Sequence, residues 1–145
     1  GFIGVGIDIS LNSIKVCKSN ANKLKIRNKI NLYKSDIDNF NYGKYDLIVS
    51  NPPYIKKTDF KYLEKDIVNF EPKSALDGGI DGLSEIRKVI NNSSELIKRN
   101  GKLVLEFAFN QKLQVKNLLK KKGFYINRVF KDLSNNDRCI VSTKI

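Results

Sequence analysis

Three observations predict an α/β fold built on a largely parallel sheet. Leu47-Ile48-Val49 is a short uninterrupted apolar run, the pattern of a strand buried on both faces, and Pro52-Pro53 ends it abruptly. Stretches with strand patterns alternate with stretches of helical periodicity. The last two strand-like stretches are joined by only a short turn, which makes that pair antiparallel. At 145 residues the chain has the length of one domain.

In chain order, Ile3 to Ile9 alternates apolar residues with glycine and is a strand that ends near Asp8. Its Gly4-Val5-Gly6 is not a phosphate-cradling loop, because such a loop follows a strand and opens a helix, whereas these glycines lie inside the strand. Ser10 caps a helix from Leu11 to Leu24 with Ile14, Val16, Cys17, Ala21 and Leu24 as its apolar face. Ile30 to Ser35 is the second strand, with Asp36 at its carboxyl end. Tyr45 to Ser50 is the third. The connection from Ile55 to Gly82 is long and carries Phe60, Tyr62, Leu63, Phe70 and Pro72, a composition that points to a functional loop. The turn signals Asp77-Gly78-Gly79 and Asp81-Gly82 lead into a helix from Leu83 to Lys98, ended by Asn100-Gly101. Lys102 to Phe107 is a strand with Glu106 near its exit. Gln111 to Lys122 is a helix burying Leu113, Val115, Leu118 and Leu119, and Gly123 terminates it. Tyr125 to Lys131 and Arg138 to Thr143 close the chain, giving the order β-α-β-β-α-β-α-β-β.

Composition narrows the chemistry. Without histidine, Ser-His and Cys-His nucleophile pairs and the commonest zinc ligand are excluded, so any reaction runs on carboxylates, amides, backbone and a cofactor. Cys17 and Cys139 have neither disulfide-framework nor metal spacing. With no ~20-residue apolar run and no basic leader ahead of Phe2-Ile3, the chain is expected in the cytoplasm. The net charge of +12 would attract a polyanion, which brings RNA or ribosome proximity into view, although the lysines are spread over every segment. The lack of methionine, even at position 1, marks a processed product or a piece of a longer reading frame.

Asn51-Pro52-Pro53-Tyr54 sits at the carboxyl end of a strand, where open α/β sheets bind ligands. The prolines fix φ and hold Asn51 and Pro52 extended, so a primary amide and its neighbouring carbonyls are rigidly aimed beside the flat ring of Tyr54. That set suits the gripping of a planar NH2 group. Asp8 and Asp36 are expected on the same edge. Either alone reads as a cap; together they favour a bound nucleoside, Asp8 taking the ribose hydroxyls and Asp36 the adenine amine.

Asn51-Pro52-Pro53-Tyr54, with Phe70-Glu71-Pro72, Ala75-Leu76-Asp77-Gly78-Gly79, Asp81-Gly82-Leu83, Leu105-Glu106, Gln111, Lys131-Asp132-Leu133 and Asp137-Arg138, resembles the glutamine methyltransferases of peptide-chain release factors, within the class I S-adenosylmethionine-dependent methyltransferases. The resemblance implies a Rossmann-like seven-stranded sheet. It implies S-adenosyl-L-methionine held by Asp8, Ile9, Asp36, Ile37 and Asn51, and a release factor as partner. Its Gly-Gly-Gln glutamine would be held by Asn51, Pro52, Pro53 and Tyr54, with Asn51, Pro52 and Tyr54 catalytic. The family's first strand and Gly-rich loop precede the segment matched here, so residues 1–145 are expected to be a partial catalytic domain with weak cofactor binding and an opened core. Ala108-Phe109 stands where the family usually has glycine. Two other readings stand beside this one: an amino-methyltransferase acting on adenine or guanine of nucleic acid, and a non-catalytic fragment or basic binding module.

Overall fold

The computed structural model describes residues 1–62 and 72–145. Leu63, Phe70 and Glu71, which figured in the sequence reading, lie outside the described residues. The chain divides into two compact units, Gly1–Asn41 and Tyr42–Ile145.

In the first unit, β1 (Gly4–Asp8) and β2 (Ile30–Lys34) pair in parallel, with Gly6 opposite Leu32 and Asp8 opposite Lys34. The glycines do lie inside the strand, and a β-carbon at Gly6 would come within 2.8 Å of the Leu32 side chain. α1 (Leu11–Lys23) starts at Ser10, whose hydroxyl accepts the Ser13 N–H at 3.2 Å. Its buried face is narrower than the periodicity suggests. Ile14 and Ala21, two turns apart, are buried, whereas Val16, Cys17 and Leu24 are exposed. Val16 lies on the far side of the helix from Ile14, and Leu24 falls beyond its last turn. Tyr33 and Phe40 meet as tilted rings 6.0 Å apart.

In the second unit, β3 (Tyr45–Ser50), β4 (Ile97–Glu106), β5 (Phe124–Lys131) and β6 (Asp137–Lys144) form a mixed sheet in the order β3-β4-β6-β5. β3 runs parallel to β4, placing Ile48 beside Leu103, while β6 is antiparallel to both β4 and β5. The antiparallel closing pair is as expected. The six strands among the described residues fall into two separate ladders.

β3 departs from the sequence reading. Leu47 and Val49 are 54% and 68% exposed while Ile48 between them is half-buried, so the strand is covered on one face. An apolar run reports affinity for a buried setting, but β3 is the outer strand of its ladder, and no described element covers the Leu47/Val49 face.

α2 (Lys73–Leu76) is one short turn. α3 (Ser84–Leu96) buries Ile86, Val89, Ile90 and Ser93, the i, i+3, i+4, i+7 spacing of a core-facing stripe. It stops two residues before the expected end, and β4 begins at once. Asn100 at φ 65° and Gly101 interrupt that strand and shift its register against β3 between Tyr45 and Leu47, rather than ending the helix. Leu103, Leu105 and Phe107 alternate inward. α4 (Lys112–Lys121) buries Val115 and Leu119; Leu118 is half-buried and Leu113 is 69% exposed. Gly123 leaves this helix at φ 74°. No helix among the described residues is long and apolar enough to cross a membrane.

Candidate active site

In the first unit, the parallel pair delivers two carboxylates at one end. Asp8 closes β1, and its carbonyl accepts the Ser35 N–H at 3.0 Å, one residue before Asp36. Each acid caps its own turn: Asp8 Oδ1 accepts the Ser10 N–H at 2.7 Å, and Asp36 Oδ1 accepts the Asp38 N–H at 3.1 Å. The capping reading of each acid thus holds for one oxygen. The Oδ2 atom of each takes no hydrogen bond among the described residues. Ile9, just after the first acid, is 55% exposed, and Ile37, just after the second, is half-buried. Uncommitted carboxylate oxygens beside apolar side chains fit the hydroxyls, amine and flat base of a nucleoside.

In the second unit, β3 delivers the Asn51-Pro52-Pro53-Tyr54 loop. Asn51 is exposed, Pro52 is buried, and Pro53 and Tyr54 are half-buried. Neither the Asn51 side-chain amide nor the Pro52 carbonyl is engaged in a hydrogen bond among the described residues. The acceptors at the front of the loop are therefore uncommitted, while its back is bonded at every turn.

Three groups hold that back. The Gln111 side chain, 3% exposed, donates to the Tyr54 carbonyl at 3.1 Å and the Gly82 carbonyl at 3.0 Å, while its oxygen accepts the Ala108 N–H at 3.0 Å. The departure at Ala108-Phe109 is accommodated here, since only the Ala108 backbone is needed. The glycine-rich turn is the second group. Ile55 N–H donates to Leu76 O at 3.0 Å, and Gly78 N–H donates to Ile55 O at 2.8 Å. A β-carbon at Gly78 would fall within 2.7 to 2.8 Å of Gly82 O and of the Tyr54 Cα and carbonyl carbon. Asp77 and Asp81 shape the turn by accepting the Gly79 and Leu83 N–H groups at 2.8 and 3.0 Å, and Arg87 forks onto Asp81. Arg87 holds the Asp81 carboxyl below its ordinary range, with the Leu83 N–H adding to the effect.

Glu106 is the third. The Tyr54 hydroxyl donates to Glu106 Oε1 at 3.1 Å. Burial, then the negative charge and hydrogen bond of Glu106, push the Tyr54 phenol up, partly offset by Arg138. Arg138 itself donates to Asp132 Oδ2 through Nε and a terminal nitrogen at 3.2 and 3.0 Å. Cys139 lies opposite Glu106 across β4 and β6, and burial, then that carboxylate, raises its thiol, so it is a poor nucleophile.

Within the first unit the structure brings together Asp8 and Asp36, and within the second it gathers the Asn51–Tyr54 loop with residues 76–83, Glu106 and Gln111. Glu106 and Gln111 had no role in the sequence reading beyond matching a motif. A glutamine at a helix start and a glutamate at a strand exit are the only local signals they leave.

Residues 3–67 match the family described as RMKL-like, methyltransferase domain. Among curated proteins, the release factor glutamine methyltransferase of Buchnera aphidicola is 38% identical over 140 residues, covering 97% of this chain and 50% of the relative. That of Rhodospirillum rubrum is 37% identical over 99% of this chain and 44% of the relative. A bifunctional methyltransferase of Rickettsia conorii is 35% identical over 97% of this chain and 27% of the relative. The chain thus spans half or less of the length of these relatives. Among solved structures, a ribosomal protein L11 methylase from Lactobacillus delbrueckii superposes with a TM-score of 0.67 at 17% identity, over 97% of this chain and 57% of that one. A SAM-dependent O-methyltransferase from Thermotoga maritima gives 0.64 at 13% identity, over 97% and 49%. By sequence the chain is similar to the release factor glutamine methyltransferases, and it shares the Rossmann-like α/β fold of these solved methyltransferases.

Proposed function

We propose that residues 1–145 are part of the catalytic domain of an enzyme that methylates the side-chain amide nitrogen of the glutamine in the Gly-Gly-Gln motif of a peptide-chain release factor. The observation that carries this reading is the Asn51-Pro52-Pro53-Tyr54 loop, uncommitted at the front and locked behind by Gln111, Gly78 and Glu106. The names of the relatives support the substrate, and a cytoplasmic location is part of the same proposal.

The Asn51 side-chain oxygen and the Pro52 backbone carbonyl accept the two N–H groups of the glutamine amide and fix its plane. The Tyr54 ring packs on that plane, and its hydroxyl is anchored on Glu106 so that the ring cannot swing away. In the first unit, Asp8 and Asp36 with Ile9 and Ile37 would hold the nucleoside part of S-adenosyl-L-methionine. When bound, that cofactor supplies an electrophilic methyl group on a sulfonium sulfur. As positive charge grows on the amide nitrogen, the carbonyl dipoles already face it and need no reorganisation. The nitrogen proton becomes acidic and leaves to water, so no strong base is required.

The test is transfer of a labelled methyl group by the intact protein to a release factor, with RNA as the competing acceptor. Asn51→Ala is expected to lower transfer to the release factor by about 10²- to 10³-fold, the range for removing one such dipole. Unchanged transfer in that variant removes the loop from the chemistry. Methyl groups recovered on RNA in place of the release factor overturn the substrate.

A further inference from the structure

Every ionisable side chain between Glu106 and Asp132 other than Tyr125 is a lysine or an arginine. This stretch is α4 and the edge strand β5, and between them lies an open groove of about 640 Å³. Lys112, Lys116 and Lys120 line it at successive i, i+4 positions, repeating about every 6 Å along the helix axis. Arg128, Asn127 and Tyr125 line the facing strand.

The charges in this groove are not neutralised alike. Lys112 is bound to Asp137 at 2.8 Å. Lys116, Lys120 and Arg128 have no carboxylate partner among the described residues, and Arg128 lies over the Phe130 ring at 4.8 Å. Tyr125 is 62% exposed. An edge strand bearing a cation resists pairing with other strands, which accounts for Arg128 alone but not for the lysine row on the helix. Two free lysines one turn apart on the helix, a free arginine on the facing strand and an exposed aromatic ring are the combination that tracks a phosphodiester backbone and stacks its bases.

We propose that the α4–β5 groove binds single-stranded polynucleotide, with Lys116, Lys120 and Arg128 on successive phosphates and Tyr125 stacked on a base. An acidic polypeptide would satisfy the cations but leave the ring idle, and a duplex keeps its bases stacked away from it. The inference rests on the second unit alone and is independent of the methyl-transfer reading.

The experiment is fluorescence anisotropy of labelled oligouridylate RNA, and of single-stranded DNA of the same length, titrated with the full chain between ~50 and ~200 mM salt. The combined Lys116→Gln, Lys120→Gln, Arg128→Gln variant is expected to lose at least tenfold in affinity. It should also flatten the log-affinity against log-salt slope by about 2, the release expected from three phosphate contacts on a single strand. Tyr125→Leu is expected to weaken binding several-fold without changing that slope, a response that general attraction to a basic protein would not give. Lys15→Gln, Lys18→Gln, Lys23→Gln on α1 removes the same charge from exposed positions elsewhere and should change affinity less than twofold. RNA and DNA binding alike supports phosphate recognition, and a preference for RNA supports it with added contact to the sugar. Equal loss in the two triple variants, tighter binding of duplex, equal binding of polyglutamate, or no binding at ~50 mM salt overturns the proposal.

Discussion

Gln111 donates a hydrogen bond from its side-chain amide to the backbone carbonyl of Tyr54, 57 residues away in sequence. The same amide serves Gly82 O and the Ala108 N–H, so one buried side chain ties the loop, the glycine turn and the exit of β4. Gln111→Leu keeps much of the volume and strands three backbone groups. Each unsatisfied buried group costs about 1–3 kcal/mol, so the variant is expected to lose about 3 kcal/mol in urea unfolding, with water recovering part of the total. Methyl transfer should fall with it. A variant as stable as the parent would show that the three segments hold together without this amide.

Gly78→Ala tests the second fastening. Its β-carbon meets backbone on two sides, and backbone cannot rotate out of the way as a side-chain tip can. The expected cost is about 1–3 kcal/mol from overpacking, read as a lower urea midpoint, together with a displaced Tyr54. Gly6→Ala is the comparison, because there the nearest atom is the end of the Leu32 side chain, and it should cost less.

Tyr54 gives a signed pH dependence. Its folded phenol sits above the ordinary value of 10.0, so above about pH 10 the unfolded chain releases this proton before the folded one does. Unfolding then releases protons, and stability falls as pH rises through that window while remaining flat below it. In Tyr54→Phe this contribution disappears. The parent should therefore lose its stability margin over the variant as pH rises above about 10 in urea titrations, and an unchanging margin would deny the phenol the upward shift that burial and Glu106 give it.

Asp81 titrates in the opposite sense. The Arg87 hydrogen bond, then the Leu83 N–H, hold its carboxyl below 3.8, so the stabilisation is present above the unfolded value and fades as pH falls through the folded one. The pair is solvent-exposed, which limits its worth to about 0.2–1 kcal/mol. Arg87→Gln should be destabilised by that amount near neutrality, and the deficit should shrink both on acidification below about pH 4 and in high salt. A deficit insensitive to both would assign Arg87 a packing role instead.

The backbone plan was readable because apolar periodicity, caps and turn residues are local. Tyr45–Ser50 falls where the pattern placed it, and Ser10 caps α1 as its sequence position predicts. What local pattern cannot carry is the identity of the cover. Leu47 and Val49 have the composition of a two-sided core strand yet stand exposed, and Leu113 has the periodicity of a buried residue yet is 69% exposed. The site divides in the same way. Asn51 and its prolines announce themselves in sequence, because their stiffness is intrinsic. Gln111 and Glu106 act through partners 57 and 52 residues distant, and nothing in their immediate neighbourhood specifies those contacts.

A loop shaped by side chains changes form whenever those side chains change. At Gly78 the neighbours are main-chain atoms of Tyr54 and Gly82, which every amino acid possesses. The close approach at this point therefore depends on a missing β-carbon rather than on which side chains Tyr54 and its neighbours carry. Descendant sequences that keep the glycines at 78, 79 and 82 and the turn-shaping acids at 77 and 81 can hand down the same curve.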